Sequence, residues 1–308
     1  MKSKLLPLVV TALLAAPQAS MADQLPIIGD TTSASISLAD EHRLGQTWIR
    51  ILRAQTKQLN DPLVYSYTKE LIYQLSSNSQ LPDRRLSLVL LDNPTLNAFA
   101  VPGGVIGVHA GLFQYAQTEG QFASVLAHEL THLSQRHYAA SVEQQRRNLP
   151  LQWASILGGI ILAASSQGDG ATAAIASGQA AFQQQRLAFS RQNEREADNV
   201  GMQVLSHSGF DPLSMPNMFK QMQRSFRFSG AHAPEFLLTH PVTESRIADS
   251  LSRAAQLDSG GKHDSLQYQL IRARINIALS TNIETTFQHF DNSLDANPSE
   301  SHHYARAL

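Results

Sequence analysis

The alternation of apolar and polar positions divides the chain into helices with one short β region. Residues 38–59 and 62–78 read as two amphipathic helices separated by Asn60-Asp61-Pro62. Asp61 suits the cap of the second and Pro62 its first helical position. Residues 86–91 (Leu-Ser-Leu-Val-Leu-Leu) predict a strand, stopped by Asp92-Asn93-Pro94. Asn97 to Val101 and Val105 to His109 flank Pro102-Gly103-Gly104, which predicts a β-hairpin. A helix is expected from about Glu119, with Thr118 and Gln121 as a capping box, running to about Tyr138 or beyond.

Residues 151–164 are strongly apolar around Gly158-Gly159, and a Ser/Gly-rich stretch separates them from an Ala-rich segment, 171–182. Fourteen mostly apolar residues are too few for an ordinary transmembrane helix. Three readings stay open: a buried helical hairpin, an apolar flap over a site, or a surface that touches membrane or an unfolded client. Further helices are expected over 192–208, ending at Gly209, over 213–227 after Asp211-Pro212, and over 241–257. Asp258-Ser259-Gly260-Gly261-Lys262 reads as a linker. Beyond it, 265–280 and 283–296 look like a helix pair closed by Asn297-Pro298, similar to one tetratricopeptide unit without a second copy. A lone unit cannot bury its own apolar face, so it must pack on the main domain or belong to a longer array.

Composition adds a location and removes several functions. Lys2 and Lys4, an apolar run from Leu5 to Ala16 and the small residues before Ala22 have the order of a secretory signal peptide cleaved after Ala22; the rival is an anchor left in place. The chain contains no cysteine, which excludes disulfides, thiolate metal ligands and a lipidated cysteine. The formal net charge of −1 argues against a nucleic-acid partner. The expected organisation is a signal peptide (1–22), a main domain (23–258) and a short tetratricopeptide-like tail (259–308).

The chemistry concentrates at His128-Glu129-Leu130-Thr131-His132. On a helix, residues four apart share a face, so both imidazoles can bind one metal ion while Glu129 reaches its water as general base. A catalytic site needs a third protein ligand and one open position. Glu194, Ala197, Asp198 and Gly201 share one helix face, and the two small residues allow close approach to the first helix. Glu194 and Asp198 would then point together at the HExxH helix, whereas Glu196 falls on another face and is expected in solvent. His137, five residues after His132, is expected to point away from the ligands, and His109 is a candidate cleft residue with no assigned task.

HExxH followed by ExxxD resembles the M48 family of zinc metallopeptidases. Asn97-Ala98-Phe99-Ala100-Val101-Pro102-Gly103-Gly104, Ser190-Arg191, Leu238-Thr239-His240-Pro241 and Ser245-Arg246 fit the same family. A signal peptide, no transmembrane helix and a tetratricopeptide-like tail are most similar to its periplasmic β-barrel assembly-enhancing branch. The resemblance implies an α+β, mostly α, zincin-like domain with a small sheet, holding one Zn2+ per chain. It implies His128, His132 and Glu194 as zinc ligands, Glu129 as the base, and Asp198 as a ligand-supporting or proton-donating group. It further implies that His240 can take the fourth zinc position as a plug, and that Asn97, Ala98 and Phe99 lie on an edge strand that pairs with substrate. The expected clients are misfolded or stalled outer-membrane proteins, with the β-barrel assembly machinery as a further partner and peripheral membrane contact through 151–182. The rival function is a periplasmic chaperone or assembly factor that binds clients rather than cleaving them. The family's periplasmic members carry several repeats where this chain has about one, which puts docking on a long repeat surface in doubt.

Overall fold

The computed structural model describes residues 36–149, 190–228, 234–258 and 260–280, a few positions between 282 and 291, and 299–308. The expected signal peptide, the apolar 151–182 region and most of the second tail helix lie outside the described residues.

Helix α1 (Leu38–Gln55) starts at Ser37, which exchanges capping hydrogen bonds with Asp40. Helix α2 (Pro62–Ser77) starts as expected: Asp61 Oδ1 accepts from the Leu63 and Val64 N–H groups at 3.0 and 3.3 Å. Strands β1 (Ser87–Leu91), β2 (Ala98–Val101) and β3 (Val105–His109) form one sheet of order β1-β3-β2. The hairpin pairs β2 antiparallel to β3, and β1 lies parallel on the far side of β3. Among the described residues strand β2 is therefore an edge. At the hairpin turn Gly103 and Gly104 both have positive φ (84° and 81°). A Cβ on Gly103 would also lie 2.4 Å from the Glu41 carbonyl oxygen, so α1 presses directly on the turn.

Alternation along the strands divides the interior. Leu88 and Leu90 of β1 join the main core, whereas Val89 and Leu91 join a smaller cluster with Ile49 of α1. The sheet thus carries α1 on one face and the principal helical core on the other.

Helix α3 (Gly111–Tyr115) leads into α4 (Glu119–Ser134), whose residues from Glu119 to Thr131 are all buried. A helix with no exposed face belongs at the centre of a core. Only half of the expected capping box forms at its start. Thr118 Oγ1 accepts from the Gln121 N–H, but the Gln121 side chain accepts from Gln117, one residue beyond the cap. At its other end α4 stops before Tyr138: Gln135 and Arg136 turn the chain, and Arg136 has a φ of 50°. The buried Arg136 guanidinium is held by Glu41 at 3.1 Å and by the Ile36 carbonyl at 2.6 Å, which fixes this uncommon conformation. Helix α5 (137–149) then leaves on a new course.

Helix α6 (190–207) ends at Gly209, whose φ of 86° fits the expected left-handed cap. It is followed by α7 (Ser214–Phe228), the short and unexpected α8 (Glu235–Thr239), and α9 (Glu244–Ala254), capped by Thr243. The compositional linker is pinned rather than free. Lys262 N–H donates to the Gly209 carbonyl at 2.7 Å, and Asp211 N–H donates to the Lys262 carbonyl at 3.0 Å. Helix α10 (Leu266–Ala278) follows and packs against α11 (Glu300–Ala307). Tyr268 of α10 is fully buried beside the stacked Phe113–Phe122 pair and donates to the Ala116 carbonyl at 2.8 Å. Among the described residues no helix is long and apolar enough to cross a membrane.

Candidate metal centre

Two helices meet at the site because α6 has almost nothing between its backbone and α4. A Cβ on Gly201 would lie 3.2 Å from the Ala127 oxygen and 3.3 Å from the His128 Cα, and Ala197 is fully buried. This contact carries Glu194 and Asp198 to the HExxH face, as their spacing predicts. Glu196 does not share that destination.

His128, His132, Glu194 and His240 each direct one ligand-type atom to a common point, all within 4.8 Å of one another. His128 Nε2 lies 3.1 Å from His132 Nε2, 3.4 Å from His240 Nδ1 and 3.5 Å from Glu194 Oε2. Glu194 Oε1 lies 3.5 Å from His132 Nε2 and 2.9 Å from His240 Nδ1. Donor atoms around a tetrahedrally held ion with bonds of about 2.0–2.1 Å stand about 3.3 Å apart. The three imidazoles and one carboxylate therefore suit a divalent metal in type and in spacing.

Behind His128, Asp198 Oδ1 lies 3.1 Å from Nδ1, the nitrogen that points away from the common centre. Arg246, from the first turn of α9, holds both Asp198 oxygens at 2.7 Å. It also reaches Glu194 Oε2 at 3.0 Å and the Pro241 carbonyl at 2.8 Å, with its guanidinium over the Phe219 ring. One buried cation thus ties together the α6 carboxylates and the residue after His240. The Ser245-Arg246 pair is conspicuous in the sequence, but nothing local to it indicates this task.

Electrostatics follow from burial opposed by these partners. Burial disfavours charge on His128, yet the hydrogen bonds to Asp198 and Glu194 outweigh it and push its pKa up to about 10. Burial likewise opposes ionisation of Glu194 and Asp198. Hydrogen bonds from His128 and His240 to Glu194, and from Arg246 and His128 to Asp198, outweigh it and hold both carboxyls low. Glu129 lacks such compensation and burial raises its pKa. Its carboxylate accepts from the Ala100 backbone N–H, while Oε1 is buried without a hydrogen-bond donor, 3.7 Å from His240 Nε2.

The other expected residues divide. The Asn97 carbonyl accepts from the His109 N–H at 3.1 Å, so by strand alternation Phe99 also turns its backbone to β3, whereas Ala98 and Ala100 turn theirs to the open edge. Phe99 borders the metal cavity of about 350 Å³ together with Ala100, Glu129, His132 and His240. His109 is buried, with Nδ1 2.9 Å from Thr95 Oγ1, and lines a second cavity of about 580 Å³ beside β2 with Trp48 and Asn97.

The expectation for His137 is overturned, whereas Glu196 lies on the other face as expected, with its side chain 41% exposed. His137 is only 6% exposed and places Nδ1 2.8 Å from His132 Nδ1. Its Nε2 lies 3.6 Å from Glu196 Oε2. On an uninterrupted helix, five residues turn the side chain about 140° away. The break at Gln135-Arg136 is what brings it back.

A model of "Peptidase family M48" matches residues 62–254. The chain is 40% identical over 256 residues to the Beta-barrel assembly-enhancing protease of Escherichia coli K12, covering 83% of this chain and 52% of that protein. It is 34% identical to the Putative beta-barrel assembly-enhancing protease of Vibrio cholerae, over 92% of this chain and 59% of that one. The Mitochondrial metalloendopeptidase OMA1 of Schizosaccharomyces pombe is 28% identical, over 73% and 64% of the two chains. The chain spans about half the length of the bacterial relatives it matches. With its histidine and carboxylate cluster on two apposed helices and a family match across the helices and strands that build it, the chain belongs to peptidase family M48.

Proposed function

We propose that the chain is the peptidase part of an exported, zinc-dependent endopeptidase whose resting site is closed by His240. The observation that carries this reading is the convergence of four ligand groups, their ligand atoms within 4.8 Å of one another, beside a buried, donor-free Glu129 oxygen. Two imidazoles and one carboxylate with an adjacent glutamate are the donor set of a catalytic zinc site. When bound there, zinc polarises the scissile carbonyl and activates water.

The protein's own residues supply the rest. His128, His132 and Glu194 hold the ion, and Asp198 keeps the proton of His128 on Nδ1 so that Nε2 is free to coordinate. Glu129, oriented by the Ala100 N–H, takes a proton from water and returns it to the leaving amine. The open edge at Ala98 lets an extended peptide pair alongside β2, with Phe99 bordering the cleft. His240 would take the fourth position: its Nδ1 lies 3.4 Å from His128 Nε2 and 2.9 Å from Glu194 Oε1, and its Nε2 lies 3.7 Å from Glu129. Substrate and water enter only when this side chain withdraws.

The names of the bacterial relatives point to β-barrel assembly. We place the protein in the periplasm, acting on misfolded or stalled outer-membrane proteins, with the helices after residue 258 as the start of a tetratricopeptide tail. The test is a pair of variants assayed on an unfolded outer-membrane protein. Glu129→Gln retains fold and zinc and cleaves at least about 100-fold more slowly; His240→Ala cleaves severalfold faster than wild type. Undiminished cleavage by Glu129→Gln overturns the peptidase reading. Unchanged or lower activity in a folded, zinc-loaded His240→Ala overturns the lock. If Glu129→Gln still restores outer-membrane integrity in a deletion strain, client binding is the main task.

A further inference from the structure

We propose that His137 and Glu196 form a second positioning arm of the metal centre, which orients His132 as Asp198 orients His128. The two Nδ1 atoms of His132 and His137 are 2.8 Å apart, so a single proton lies between them. His132 directs Nε2 at the common centre, 3.1 Å from His128 Nε2, and coordination there requires the lone pair on Nε2. The proton of neutral His132 therefore sits on Nδ1 and is donated to His137. That assignment forces the next one. With Nδ1 accepting, His137 carries its own proton on Nε2, the nitrogen that faces Glu196 Oε2 at 3.6 Å.

The tautomers of two histidines are thus fixed in one direction, from the metal centre to a carboxylate. Metal-bound imidazoles ordinarily pass their second N–H to a carboxylate or carbonyl. Here His132 does so through an intervening ring. The two arms differ in kind. The side chain of Asp198 is 6% exposed and neutralised by Arg246, whereas that of Glu196 is 41% exposed. His137 and Glu196 touch neither the centre nor the cleavage chemistry directly; they act through His132.

The inference rests on the metal reading above, and its test separates the two. Zinc affinity is measured by chelator competition on the full chain, with the visible spectrum of the Co2+-loaded protein as a reporter of ligand geometry. His137→Leu weakens zinc binding about 10- to 100-fold and alters the Co2+ spectrum. His137→Asn, whose side-chain oxygen can occupy the Nδ1 position, restores most of the loss, and Glu196→Gln gives a smaller one. In zinc-loaded wild type, 15N-edited NMR shows the His132 ring protonated at Nδ1 and the His137 ring at Nε2. Wild-type zinc affinity in His137→Leu overturns the positioning arm alone. Equal losses in the Leu and Asn variants also overturn it, by reducing the role to packing, and so does a His137 ring protonated at Nδ1. Absence of stoichiometric zinc binding in wild type overturns the metal reading with it. Should the Leu variant fail to fold, the Asn and Gln variants and the NMR assignment still decide.

Discussion

Arg246 illustrates how one side chain can hold a site together without touching its chemistry. It is 6% exposed and shared between Asp198, Glu194 and the Pro241 carbonyl. Removing the cation leaves two carboxylates buried beside each other, the costly half of a broken buried ion pair. Arg246→Met is expected to lose about 3–5 kcal/mol in urea unfolding and to bind zinc more weakly. The sequence made the meeting of these side chains legible, because HExxH puts two imidazoles on one face and the small residues beside Glu194 and Asp198 mark the other. It did not reveal Arg246, whose role depends on α9 folding back across α6. Nor did it reveal His137, because the sharp turn before it is held by Glu41, 95 residues earlier in the chain.

Elements with their own caps were legible in the sequence. Helix α2 starts at Asp61-Pro62 and α6 ends at Gly209 because those signals are local. The parallel pairing of β1 with β3 and the pinned linker depend on distant partners, and no window of sequence contains them. The α4–α6 contact has the clearest consequence at this scale. With Ala127 and His128 backbone atoms at 3.2–3.3 Å from a notional Gly201 Cβ, Gly201→Ala must shift its neighbours slightly, and Gly201→Leu must separate the helices. Gly201→Leu is expected to cost about 1–3 kcal/mol or more and to lower metal content, whereas Gly201→Ala retains most of both. Thermal unfolding and bound-metal analysis check this order. Equal metal content in wild type and a folded Gly201→Leu would show that helix spacing does not set ligand geometry.

Across the whole molecule, α10 completes the principal core despite following a stretch with the composition of a linker. Tyr268 fills it beside Phe113 and Phe122, and burial holds its phenol far above the ordinary pKa. A folded-state pKa above the unfolded one gives stability that is full below about pH 10 and lost as pH rises, because only the unfolded phenol ionises there. Tyr268→Phe is expected to cost about 1–2 kcal/mol at neutral pH, through the Ala116 carbonyl left without its donor. Its stability should then fall less steeply than wild type between about pH 10 and 11.5. Urea midpoints across that range measure both effects, and parallel curves for the two proteins would contradict the assignment.

The short α8 and the turn after it give the molecule a division of labour. Three of the four candidate ligands stand on helices whose backbones touch, so their positions are settled when the core forms. His240 instead follows a five-residue helix, joined to it by its N–H bond to the Phe236 carbonyl. On the function proposed above, possession of the metal and permission to use it are written in different stretches of chain. If His240 is the lock, changes within 234–243 retune the threshold for activity while the catalytic geometry is inherited intact.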